Sequence, residues 1–227
     1  MSLLALCGIQ KKEGFPPISA GSLSISSIHC YNMAQMAKVV AIVGMNGSGK
    51  SEVTRIFEQK GYTRIRFGDI TDKEIARLRL QFNEENERKV REQLRAELGM
   101  EAYAVKNLPE IEASLKESNV VVDGLYSWAE YRFLKEHYGD DLVVIAVYSS
   151  PKIRQQRLPH REIRPLNPED SSARDYNEIE HLQKGGPIAI ADYTLINEDI
   201  SIEELQTKTE QLVTDLDNVT RTTPQRR

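Results

Sequence analysis

The run from Lys38 to Tyr62, KVVAIVGMNGSGKSEVTRIFEQKGY, constrains this chain more than any other stretch. A short apolar run enters a glycine-rich loop, and an amphipathic segment leaves it. Within it, Gly44-Met45-Asn46-Gly47-Ser48-Gly49-Lys50-Ser51 fits the spacing G-x-x-x-x-G-K-[ST]. Glycines admit backbone angles that turn successive N–H groups inward on one anion. A helix opening near Ser51 adds the positive end of its dipole. Lys50 then stands where it bridges outer phosphates, and the Ser51 hydroxyl where it ligates Mg2+. The bland alternative is a glycine-rich turn that happens to carry a lysine. The strand before it and the helix after it speak against that.

Strands and helices alternate through the rest of the chain. After KVVAIVG come TRIRFGD, then NVVVDG at 119–124, DLVVIAVYSS at 141–150 and IADYTLIN at 190–197. The wholly apolar runs are what parallel strands covered on both faces require. Gly61 stops the first helix. The stretch 71–118 is helical in composition, with Leu94, Leu98 and Met100 as apolar points and Gly99 as a break. SIEELQTKTEQLVTDL forms a last amphipathic helix. The pattern predicts an α/β domain with a parallel sheet and right-handed crossovers.

Residues 1–36 are rich in Ser, Gly and Pro and read as a disordered tail, or as a start placed too early with Met33 or Met36 as the true one. Residues 37–217 form the expected domain and 218–227 a frayed end. Thirty basic against thirty-four acidic residues give a net charge of -4, which argues against a general nucleic-acid binder. The two cysteines, Cys7 and Cys30, make neither a disulfide framework nor a zinc site, so a cytoplasmic setting is expected. No apolar run reaches the length of a membrane span.

Asp123 ends a buried strand on the ligand-facing edge of the sheet, where a carboxylate holds Mg2+; the competing reading is a turn residue before Gly124. Asp69, after the second strand, either takes a proton from an attacking hydroxyl or caps the helix starting near Thr71. In SSPKIRQQRLPHREIRP, Arg154, Arg157 and Arg161 recur at helical spacing until prolines interrupt, and Arg164 follows. Such a row beside a phosphate loop stabilises charge in transfer, or else it is a solvated face paired with Glu162 and Asp170. The polar stretch 151–175 suits a lid. Arg88, Arg91 and Arg95 are candidates to hold an acceptor's phosphate.

From about Lys38 to Val213 these residues resemble the dephospho-coenzyme A kinase and nucleoside monophosphate kinase branch of the P-loop proteins. The likeness rests on GMNGSGKS, RFGD, VVVDG and RDYNEIEHLQKGGPIAIADYTLIN. It is closer still to a group of small kinase-like proteins common in archaea that share GSGKSE, GD and DG in this order. The resemblance implies a three-layer P-loop NTPase fold with a five-stranded parallel sheet, a helical acceptor-binding insert at 71–118 and a lid. It implies ATP, Mg2+ and a small nucleotide-like acceptor, such as dephospho-coenzyme A or a nucleoside monophosphate. It would make Asp69 the base toward a ribose hydroxyl, put Arg157 and Arg161 at the lid and Arg174 near the phosphates, and set Asn197 near the adenine. In the coenzyme A enzymes an aspartate stands at the position of Phe67, and Pro with paired Leu follows the third-strand acid, where this chain has Gly124, Leu125 and Tyr126. A small-molecule kinase is therefore expected. A nucleotide-dependent switch or slow ATPase is the reading from a different class.

Overall fold

In the computed structural model, which describes residues 38–161 and 165–222 (the last four as backbone only), the apolar run becomes β1, Val39–Val43, buried at every position. The tail with Cys7, Cys30, Met33 and Met36, as well as Arg164, lies outside the described residues. Then follow α1 (Lys50–Gln59), β2 (Thr63–Arg66), α2 (Asp69–Arg77), α3 (Glu84–Leu98), α4 (Ala102–Ser114), β3 (Val120–Asp123) and α5 (Trp128–Tyr138). A second run comprises β4 (Leu142–Tyr148), α6 (Pro151–Arg157), α7 (Pro168–Glu180), α8 (Gly185–Ala189), β5 (Tyr193–Ile196) and α9 (Ile202–Thr222). The last helix continues past residue 217, where the sequence pattern ends the domain.

The strands are ordered β2-β3-β1-β4-β5, and every pair is parallel. Alternation along β1 splits the core. Val39, Ala41 and Val43 face a layer containing Ile75, Val90, Leu94, Tyr103, Ile111 and Leu134, carried by α2 to α5. Val40 and Ile42 face Val53, Phe57, Leu205, Leu212, Val213 and Leu216 of α1 and α9. This is a three-layer α/β sandwich with a five-stranded parallel sheet. Each fully buried Phe, Leu or Val in it contributes about 1.5–3 kcal/mol.

Local signals explain the breaks. Gly61 ends α1 at φ 94° and Gly99 ends α3 at φ 84°. The Asn83 side chain caps α3, accepting from Asn86 N at 2.9 Å. One boundary differs from the sequence reading. The second strand stops at Arg66, and Gly68 at φ -61° starts a helix at once. Asp69 is the first residue of α2; it neither ends the strand nor caps the helix.

Candidate active site

The phosphate loop follows β1, whose neighbours β3 and β4 lie on opposite sides of it. Its shape depends on glycine at two tight points. A Cβ on Gly44 would sit 2.4 Å from the Val147 carbonyl oxygen of β4. Gly49 stands at φ 104° at the start of α1, and a Cβ there would sit 2.4 Å from Asn197 Nδ2. Met45, Asn46, Gly47 and Ser48 form the crest between them. Lys50 opens the helix and bends back, its Nζ donating to the carbonyls of Gly44 and Met45 at 2.9 Å each. Lys50 is half-buried. Burial of that charge, with Lys184 close by, lowers its pKa to about 7. Ser51, one residue on, is exposed.

The loop's outer edge is held by the ends of β4 and β5. Asn197 Nδ2 donates to Ser48 O at 2.8 Å, and Ser149 Oγ donates to Asn197 O at 2.6 Å. Arg157 joins this knot through Ser149 Oγ and the Asn197 carbonyl and side-chain oxygens at 3.0–3.3 Å. Arg161 donates to Asn46 Oδ1 at 3.1 Å. Burial and the nearby Arg174 lower the pKa of Arg161. Arg154 departs from the expected phosphate-facing row, and from the competing solvated face as well. It is 3% exposed and bidentate to Asp175 at 2.9 and 2.7 Å, and it donates to Asn46 O and Ser149 O. Its charge is spent inside the protein; among the described residues of the row, Arg154 and Arg161 bond the loop at Asn46, while Arg157 bonds the strand ends at Ser149 and Asn197.

On the other side, Asp123 is buried at the end of β3 and ion-paired with Arg64. The Asp69 carboxylate accepts from Arg66 at 2.7 Å, and the same Arg66 nitrogen reaches Asp72 at 3.0 Å. The Asp69 side chain is 46% exposed, so it is open to a substrate. Tyr126 packs against Gly68 and Gly124, the residues next to the two acids in the chain. Its hydroxyl lies 3.1 Å from a Cβ built on Gly68 and 2.8 Å from one on Gly124. Burial, with Asp123 near, raises the pKa of that phenol. Ser127 and Glu130 fix the turn in a capping box, with Glu130 accepting from the backbone N–H groups of Tyr126 and Ser127. Burial pushes the Glu130 carboxyl up to about 7.

The helical insert separates its three arginines. Arg88 is exposed, at 4.0 Å from Glu92. Arg91 pairs with Glu84 and Glu87. Arg95 turns inward, its guanidinium 5.3 Å from the centre of the Tyr103 ring, which in turn meets Tyr126 edge-on. Its Nε is buried with no hydrogen-bond partner among the described residues.

Sequence reasoning missed Lys184 and Glu178. Lys184 is 2% exposed and donates to Glu178 at 2.8 Å. Arg174 reaches the same carboxylate at 3.2 Å. Burial works to raise the pKa of Glu178, but attraction to Lys184, its hydrogen bond, Arg174 and Lys50 together bring it down to about 2. The only signal in the sequence was the recurrence of an acid and a lysine six residues apart in NEIEHLQKGG.

A phosphate chain with Mg2+ fits this donor set. Asn46 Nδ2 and Ser48 Oγ are buried in the loop without partners among the described residues. No group of three or more His, Cys, Asp or Glu able to hold a metal occurs among those residues. A metal here would rest on Ser51, Asp123 and phosphate oxygens, the sparse protein ligation that Mg2+ accepts. Among the described residues no helix is long and apolar enough to cross a membrane.

Residues 40–177 match the model of a family described as an AAA domain. A UPF0200 protein of Thermococcus kodakarensis is 36% identical over 182 residues, covering 78% of this chain and 97% of that protein. A UPF0200 protein of Methanococcus maripaludis is 36% identical over 169 residues, covering 71% and 88%. Among solved structures, TT1252 from Thermus thermophilus superimposes with a TM-score of 0.52 at 19% identity, covering 79% of this chain and 98% of that one. Shikimate kinase from Bacteroides thetaiotaomicron gives 0.51 at 12% identity, covering 78% and 98%. At these identities the likeness is one of fold: the α/β fold of small P-loop kinases.

Proposed function

The chain belongs to the UPF0200 family and carries an AAA domain, and we propose that it is an ATP-dependent phosphotransferase acting on a small nucleotide-like acceptor. The observation that carries this reading is a pair of carboxylates: Asp123 ends β3 beside the strand that enters the phosphate loop, and Asp69 opens α2 just after the neighbouring β2, with the Tyr126 hydroxyl against Gly68 and Gly124. A protein that only held Mg·nucleotide would need the loop and Asp123 but not Asp69.

In this reading the loop amides from Gly44 to Ser51 and Lys50 grip the phosphates. Arg157, Arg161 and Arg174 neutralise charge around them, and Asn197 lies toward the adenine. Bound Mg2+, on Ser51 and Asp123, would supply further charge neutralisation. Asp69 accepts the proton of the acceptor hydroxyl as its oxygen bonds to the γ-phosphorus. The bond from that phosphorus to the β–γ bridging oxygen breaks, and ADP leaves. Arg95, inward-facing over Tyr103, is the insert's arginine suited to an acceptor phosphate. Dephospho-coenzyme A and nucleoside monophosphates are the first acceptors to try.

The test is ADP release with a panel of such acceptors. Turnover above the water background with one of them supports the reading, and none above it refutes it. A second reading, a nucleotide switch or slow ATPase, draws on Arg64 and Arg66, which already occupy both carboxylates. Asp69→Asn separates the two. It spares nucleotide binding in both cases, and it cuts acceptor-dependent turnover by roughly 100-fold or more only in a kinase.

A further inference from the structure

We propose that Lys184 is a second phosphate-binding lysine, aimed by Glu178 at the terminal phosphate of the bound nucleotide. This rests on the phosphotransferase reading above.

Lys184 follows Gln183, a non-glycine residue at φ 51°, in a turn that leads into α8. That turn sends a lysine inward where an outward one would be solvated. A lysine at 2% exposure is costly unless paired, and Glu178 supplies the pair. The pair is closed by a backbone bond, Lys184 N to Glu178 O at 3.1 Å. Its ammonium also stands 5.7 Å from the centre of the Tyr126 ring, whose turn is locked by the Glu130 capping box. The lysine thus stands over a fixed platform, the Tyr126 ring, whose hydroxyl lies against Gly68 and Gly124.

A merely structural ion pair is a poor use of that position, because apolar side chains would fill it at least as well. The charge balance gives a better account. Glu178 serves Arg174 and Lys184 at once, and Asp123 is committed to Arg64. Lys50, Lys184, Arg161 and Arg174 therefore gather with little negative charge among them. An anion completes the group. Its place along the nucleotide follows from the base site proposed at Asn197 together with the strand order. Asn197 and Arg157 hold the β4–β5 side of the loop, while Lys184 and Tyr126 stand on the β3 side. A nucleotide with its base toward Asn197 ends with its last phosphate toward Lys184. ADP, one phosphate shorter, falls short of it.

The experiment is calorimetric titration of the full chain with Mg·ATP and with Mg·ADP, for the wild type, Lys184→Met, Lys184→Arg and the double variant Lys184→Met/Glu178→Gln. The loss of one charge-assisted contact predicts ATP binding roughly tenfold weaker in Lys184→Met, with ADP changed less than about threefold. Lys184→Arg restores part of the preference. The double variant removes the stranded carboxylate, so it keeps the fold while showing the same collapse of the ATP-to-ADP ratio. A wild-type ratio in either methionine variant overturns the assignment, as does equal loss of both nucleotides in the double variant. A wild type that binds neither nucleotide sinks the phosphotransferase reading itself.

Discussion

Raising the pH from 6 to 8 strips the proton from Lys50 in the nucleotide-free protein, and binding should put it back. With a pKa of about 7, Lys50 is about 10% deprotonated at pH 6 and about 90% at pH 8. Phosphate oxygens beside the ammonium favour its charged form and return the pKa toward 10.5 or above. Each nucleotide bound at pH 8 then takes up about 0.9 proton, against about 0.1 at pH 6. Affinity falls about tenfold per pH unit above 7 until the bound-state pKa is reached. Calorimetry at saturating Mg2+, in buffers of different ionisation enthalpy, reads the uptake from the slope of observed heat against buffer heat. Because Lys184 is a leading cause of the lowered value, Lys184→Met should cut the uptake at pH 8. A slope near zero at pH 8, or an affinity flat between pH 7 and 9, refutes the reasoning. The opposite sign governs stability without ligand. The folded chain holds fewer protons on Lys50 than the unfolded chain between about pH 7 and 10.5, so this group's contribution to stability rises with pH across that window.

Arg154→Met strands Asp175 and the carbonyls of Asn46 and Ser149, so calorimetric unfolding should record a loss of about 3–5 kcal/mol; a change below about 1 kcal/mol counts against the buried clamp. Glu130 holds its proton more tightly folded, near pH 7, than at its ordinary 4.5, so stability should fall by about 3 kcal/mol as pH rises through that interval. Glu130→Gln should flatten that fall in urea unfolding at pH 5 and pH 8, and an unchanged slope would falsify the assignment. Asn197→Ala removes the 2.8 Å bond to the Ser48 carbonyl, leaving it the longer 3.3 Å bond from Ser149 Oγ, and should weaken Mg·ATP binding by about tenfold, read by the same titration. Binding unchanged in this variant would mean that the strand end does not shape the loop.

The loop was legible because its backbone demands are written in eight contiguous residues. The sheet was legible because parallel strands covered on both faces leave unbroken apolar runs such as Val120–Val122 and Leu142–Val147. The start of α2 was not, since RFGD reads equally well as a strand running to its acid, and the φ of Gly68 decides otherwise. Arg154 kept its helical spacing, but nothing local says that Asp175, twenty-one residues later, would neutralise it. Lys184 and Glu178 left the faintest mark. They sit in a polar helix and a glycine turn, and burial of a charge has no period to betray it.

The bond from Asn197 to Ser48 spans 149 residues of chain. During synthesis the phosphate loop leaves the ribosome long before its last brace does. Arg154, Asp175 and Asn197 arrive in turn, so the grip on a nucleotide matures only as the final strand joins the sheet. On the proposed reading, nucleotide stabilises a domain already assembled rather than the early folding of this chain.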